Sequence, residues 1–190
     1  ASPWGYWFGA DPSEAKATVT LYGCYASGRT READRLIRAY LKDHPEVTYY
    51  YRMYPMANAC NVSYTSISAP GACEYARAAL AAGRVADRAG FQAMHTFIMD
   101  RDLMQGMRPS ELLAELTKLS ASETEAQLAM RSDQVDRALL RETQSDAMLN
   151  RLNIKGVPRV FVNDKWVMNW RWEGHLVMYD CLDEALKAAE

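Results

Sequence analysis

The residues with the widest chemical reach in this chain are its four cysteines, Cys24, Cys60, Cys73 and Cys181. A thiol can serve as nucleophile, metal ligand or half of a disulfide, and spacing separates these roles. No two of the four are close enough for a zinc hairpin and only three histidines accompany them, so disulfides formed outside the cytoplasm are expected rather than a metal site. Cys60 and Cys73 flank a short Asn/Ser/Gly-rich loop. A bridge between them would close about a dozen residues and contribute roughly 2–4 kcal/mol. Cys24-Tyr25-Ala26-Ser27 also reads as a monothiol C-x-x-S motif. Such a thiol can form a mixed disulfide but has no partner to resolve it. Met94, His95, Met99, Met104 and Met107 invite a copper reading, but methionines at helical spacing are usually core filling. No metal and no cofactor are expected.

The elements that must position these groups follow from periodicity. Residues 17–22 are β-rich and short, residues 23–29 are loop-like, and residues 30–41 place Ala33, Leu36, Ile37, Tyr40 and Leu41 on one helical face. Arg29, Arg31, Arg35 and Arg38 read as the solvated side of that helix. His44-Pro45 ends it, and residues 47–54, with three consecutive tyrosines, favour a second strand. A strand, helix and strand in this order imply a right-handed parallel crossover, the core of an α/β fold. Residues 74–152 read as almost wholly helical, an insertion between two halves of a sheet. Residues 159–170 form a hairpin turned at Asn163-Asp164, and residues 176–188 a final amphipathic helix. Ahead of all this lies an arm, residues 1–14, with Trp4, Tyr6, Trp7 and Phe8 among Gly and Pro. It is expected to be irregular, its aromatics folded over the core or offered to a partner.

At 190 residues and 49% hydrophobic the chain can bury one substantial core. A net charge of -2 with no basic cluster excludes a nucleic-acid footprint. No apolar run is long enough to span a bilayer. A start at Ala1-Ser2-Pro3 is what remains after cleavage of an export signal or after trimming, and with the cysteines it points to export.

Two segments carry a family resemblance. Residues 15–33 resemble, without a gap, the DsbA-like pattern A-p-V-T-I-V-E-F-S-D-Y-Q-C-P-x-C-R-x-x, with Ser27-Gly28-Arg29-Thr30 in the register of C-P-x-C. Residues 156–163, Gly-Val-Pro-Arg-Val-Phe-Val-Asn, are similar to that family's G-T/V-P-T-F-F-V-N-G. Weaker similarities run through residues 70–79 and 91–96. The resemblance implies a thioredoxin fold, β-α-β followed by β-β-α, with a helical insertion, and a cis peptide bond between Val157 and Pro158 facing the active-site loop. It also implies that both redox cysteines are replaced, by Ser27 and Thr30. In the implied fold the last helix should start at the end of the sheet that carries Cys24, which makes a Cys24–Cys181 bridge conceivable.

A serine at a helix N-terminus cannot supply a thiolate, and a threonine cannot close a disulfide. The expected function is therefore that of a redox-degenerate DsbA-like protein, a binding or structural component of an extracytoplasmic assembly, periplasmic or secreted, contacting a protein partner through its arm. The alternative is a monothiol oxidoreductase or isomerase using Cys24.

Overall fold

A computed structural model of the chain describes residues 5–102, 106–154 and 156–189. Trp4 and Met104 lie outside the described residues. Six helices and five strands follow in the order β1 (Trp7–Gly9), β2 (Ala17–Gly23), α1 (Gly28–Asp43), β3 (Val47–Met53), α2 (Ala72–Met99), α3 (Pro109–Leu119), α4 (Glu123–Met130), α5 (Asp133–Arg151), β4 (Arg159–Val162), β5 (Lys165–Val167) and α6 (Val177–Lys187). The strands form one sheet in the order β1-β3-β2-β4-β5. β2 and β3 are parallel, joined by α1, while β4 runs antiparallel to β2 and β5 antiparallel to β4. This is a mixed α/β fold of thioredoxin connectivity, with α2 to α5 inserted between β3 and β4.

The strands form where the alternation predicts them. In β2 every second residue is buried, Val19 and Leu21 completely, as a sheet covered by helices requires. The β4–β5 turn takes positive φ at both Asn163 (45°) and Asp164 (64°), the geometry of a tight hairpin. The insertion's long helix α2 breaks at Ala86 and Asp87. Close approach explains why Gly90 stands at the break: a Cβ there would lie 2.3 Å from the Ala82 carbonyl.

The arm differs from expectation. Trp7–Gly9 is a strand, paired antiparallel with β3 at the sheet's edge, because Trp and Phe favour extended backbone and β3 offered an unpaired edge. Tyr6 stacks on Phe91 at 4.8 Å, and Phe8 packs on Tyr49 and His95 at 5.4 and 5.0 Å. Gln92 Nε2 donates to the Trp7 carbonyl at 2.6 Å, tying the arm to α2.

The reading of α1's charged residues as solvated also needs correction. Arg29 and Arg35 are exposed, but Arg31 is only 9% exposed and Asp34 wholly buried. Each is inward because it has a dedicated partner set. Arg31 donates from Nε to the Tyr25 carbonyl (2.7 Å) and from a terminal nitrogen to the carbonyls of Met99 (3.3 Å) and Arg101 (2.6 Å). Asp34 belongs to a network beneath the site.

Candidate functional site

The N-terminus of α1 is built by local chemistry. Ser27 is its N-cap, with extended backbone and Oγ accepting from the Thr30 N–H at 3.3 Å. Thr30 is buried, and its Oγ1 accepts from the Cys24 N–H at 3.3 Å. Gly28 and Arg29, expected in the loop, thus belong with Thr30 to the helix's first turn, which Ser27 caps and the Thr30 hydroxyl ties to Cys24. Gly28 and Arg29 stay exposed.

Opposite this turn the Val157–Pro158 peptide bond is cis. Between the two lies a groove of about 600 Å³ lined by Ser27, Tyr54, Met56, Ser63, Tyr64, Thr65, Ser66, Asn150, Gly156 and Val157. Ser27 and Val157 had been singled out from sequence. The other walls had not, since Tyr54 and Met56 follow β3, residues 63–66 sit in the next loop, and Asn150 comes from α5. The lining is rich in hydroxyls and, among the described residues, holds neither a thiol nor a charged side chain.

Cys60 and Cys73 are joined, with an S–S distance of 2.10 Å and Cα atoms 5.9 Å apart. Residues 63–66, one wall of the groove, lie inside the ring this bond closes. The other expected bridge does not exist: Cys24 and Cys181 are both free thiols. The last helix does start toward the Cys24 end, where the Met178 N–H bonds to the Trp170 carbonyl and Arg171 pairs with Glu32 of α1, but Cys181 lies further along it. Cys181 borders Asn163 and Lys165, and Asn163 bonds to Thr18 at the beginning of β2. Cys24 follows that strand's other end, roughly 16 Å away at the rise of a β-strand. A disulfide needs Cα atoms within about 7 Å.

Cys24 is only 1% exposed and packs with Ala57, Ala72 and Cys73. Its Sγ accepts from the Met56 N–H at 3.4 Å. Burial pushes the thiol's pKa up, against the smaller pull of the Met56 and Ala26 N–H groups and of Arg31. A protonated, enclosed thiol is a poor nucleophile.

Under the groove's α1 wall sits a network that the sequence did not reveal. Tyr25 Oη lies 2.9 Å from His95 Nδ1, His95 Nε2 lies 2.8 Å from Asp34 Oδ1, and Tyr49 donates to that same oxygen at 2.8 Å. Arg38 Nε donates to Asp34 Oδ2 at 2.7 Å. Tyr25, Asp34, Tyr49 and His95 are all buried. Because an ionised carboxylate only accepts, Nε2 carries the proton facing Asp34, and Nδ1 accepts from Tyr25 when the ring is neutral. Burial works to raise the Asp34 pKa, but the charges and hydrogen bonds of His95, Arg38 and Tyr49 hold it below the usual carboxylate value. The aromatic rings of Phe8, Tyr25, Tyr51 and Phe91 enclose His95.

On the groove's far side α5 is fixed to β3 by Glu142, whose Oε2 accepts from the Met53 N–H at 3.1 Å and lies 2.9 Å from Arg52 Nε. That anchor positions Asn150. Its Oδ1 accepts from Arg159 Nη2 at 2.7 Å, and the Arg159 guanidinium stacks over the Tyr54 ring at 4.6 Å. Arg159 is 1% exposed. The sequence did carry a signal for it, since Arg159 stands after Pro158 where the similar motif has Thr.

No family model matches the chain, and no curated protein matches it. Solved structures do match the fold. A thioredoxin-like oxidoreductase from Silicibacter pomeroyi DSS-3 superposes with a TM-score of 0.69 at 22% identity, covering 98% of this chain and 94% of that one. The thiol-disulfide exchange protein alpha-DsbA2 from Wolbachia pipientis gives 0.68 at 14% identity, over 96% and 88%. Oxidised BdbD from Bacillus subtilis gives 0.68 at 15%, over 100% and 94%. At these identities the likeness shows the fold, a thioredoxin fold of the DsbA-like type.

Proposed function

We propose that this chain, a thioredoxin fold of the DsbA-like type, binds an extended polypeptide segment in the groove between Ser27 and the cis Val157–Pro158 bond and carries out no dithiol exchange. One observation carries the reading: the groove wall is made of hydroxyl and amide groups, while the nearest free thiol, Cys24, is 1% exposed behind it. Ser27 and Thr30 stand where a DsbA-like oxidase would hold its cysteine pair, and both hydroxyls are engaged, Ser27 capping α1 and Thr30 accepting from the Cys24 N–H. The hydroxyls suit the backbone of an extended chain, which offers a donor and an acceptor at every residue. Exposed apolar side chains beside the groove favour a protein over a small solute: Val62 and Ile67, on the disulfide-closed loop, are 78% and 94% exposed.

The Cys60–Cys73 disulfide supports an oxidising, extracytoplasmic location, and no described helix is long and apolar enough to cross a membrane. Tyr6, Trp7 and Phe8 are engaged within the fold, so the groove rather than the arm is the surface proposed for a partner.

The test joins two measurements on the intact protein. Wild type should neither reduce insulin nor oxidise a dithiol peptide, and should bind a fluorescent extended peptide that Ser27→Trp, filling the groove, no longer binds. Insulin reduction by wild type that disappears in Cys24→Ser would overturn the reading in favour of a monothiol enzyme.

A further inference from the structure

Arg159 is the one residue of the groove region whose chemistry is unfinished. It is 1% exposed, yet its Nε and Nη1 have no hydrogen-bond acceptor among the described residues. Nη2 donates to Asn150 Oδ1, and no carboxylate among the described residues pairs with the guanidinium. A buried guanidinium cannot shed its charge by losing a proton, and unmet donors there are costly. Its hydrogen-bond partner Asn150 and the ring it stacks over, Tyr54, both line the groove.

From this we infer that the groove is selective for a carboxylate, presented by an acidic residue or the C-terminus of the bound polypeptide, which completes the hydrogen bonding of Arg159 beside Asn150 and Tyr54. The inference rests on the peptide-binding reading above and narrows it to one ligand chemistry. A carboxylate fits better than a phosphate. Among the described residues the groove lining adds no Lys or Arg to Arg159, and a single planar, delocalised cation matches one monoanionic, planar acceptor. Ser27 contributes in the same sense, because the N-terminal end of α1 opens on the groove and carries partial positive charge.

The experiment uses the full chain and fluorescence anisotropy with short labelled Ala/Ser peptides. Three carry a central Glu, Gln or Lys and an amidated end, and a fourth carries Gln and a free C-terminal carboxylate. One of the two carboxylate-bearing peptides should bind about tenfold tighter than the amidated Gln peptide, and which one does so identifies the source. Arg159→Met should erase that preference, so that the carboxylate-bearing peptides bind it no tighter than the amidated Gln peptide. Asn150→Asp supplies the missing carboxylate from within the protein, so it should also erase the preference and at the same time raise the melting temperature. Equal binding of all four peptides to wild type would overturn the inference and leave the groove reading standing. Failure of every peptide to bind would overturn both. An undiminished Glu or C-terminal preference in Asn150→Asp and Arg159→Met would show that the carboxylate is read elsewhere.

Discussion

Thr30 Oγ1 accepts a hydrogen bond from the backbone N–H of Cys24 at 3.3 Å, so the first turn of α1 is fastened directly to the residue that follows β2. The approach leaves no spare room, because a Cβ on Gly23 would lie 2.2 Å from Thr30 Cγ2. Gly23→Ala should therefore push the helix start outward and cost about 1–3 kcal/mol, as overpacking does. Thr30→Val, which keeps the shape but removes the acceptor, should cost about 1–3 kcal/mol through the unmet N–H. Urea unfolding of the two variants checks both, and a Gly23→Ala protein as stable as wild type would refute the close docking.

The two free thiols should differ sharply in reactivity. Cys181 is partly exposed and Cys24 enclosed, so Ellman's reagent on native protein should titrate Cys181 first, with Cys24 reacting only as the protein unfolds. Mass-spectrometric mapping of the labelled sites gives the result. Native labelling of Cys24 at the rate of Cys181 would show that the cluster around it opens readily.

Asp34 should govern part of the acid stability. Its folded pKa lies below its unfolded value of about 3.8, so its contribution is present above that value and is lost as pH falls through the folded pKa. Asp34→Asn leaves His95 and Arg38 without their counter-charge and should cost about 3 kcal/mol near neutral pH. The deficit should stay constant down to about pH 4 and shrink below it. Denaturant unfolding across that range decides it, and a deficit that widens on acidification would contradict the sign.

The Cys60–Cys73 bond closes a loop with a sequence separation of 13. Removing it by Cys60→Ser with Cys73→Ser should cost about 2–3 kcal/mol, measured against the oxidised protein. Peptide affinity should fall with it, because residues 63–66 form one wall of the groove.

Much of the scaffold was legible because it is written in local patterns. Burial alternates along β2 as the sequence alternates, Ser27 and Ser122 are strong N-caps and act as such, and Asn163-Asp164 can take the positive φ that the hairpin needs. What stayed hidden depends on partners distant in sequence. Asp34 looks like a solvated helix residue until His95, 61 positions away, is folded against it. Cys24 looks available until Met56 and Ala57 enclose it. The Cys24–Cys181 expectation failed for a related reason: the strand order states where the last helix begins, but not that Cys181 packs beside Asn163 and Lys165 at the opposite end of the sheet. β1 escaped notice because three residues next to glycine make too short a pattern, and only pairing with β3 defines the strand.

The ring closed by Cys60 and Cys73 has a thermodynamic meaning for whatever enters the groove. An open loop of this length would sample many shapes and lose that freedom each time a ligand arrived, a recurring entropic penalty on binding. Here the restriction is imposed once, when the disulfide forms, and Ser63, Tyr64, Thr65 and Ser66 meet the ligand already arranged. On the peptide-binding proposal, oxidative folding of the chain is also the step that presets its affinity, although neither Cys60 nor Cys73 lines the groove.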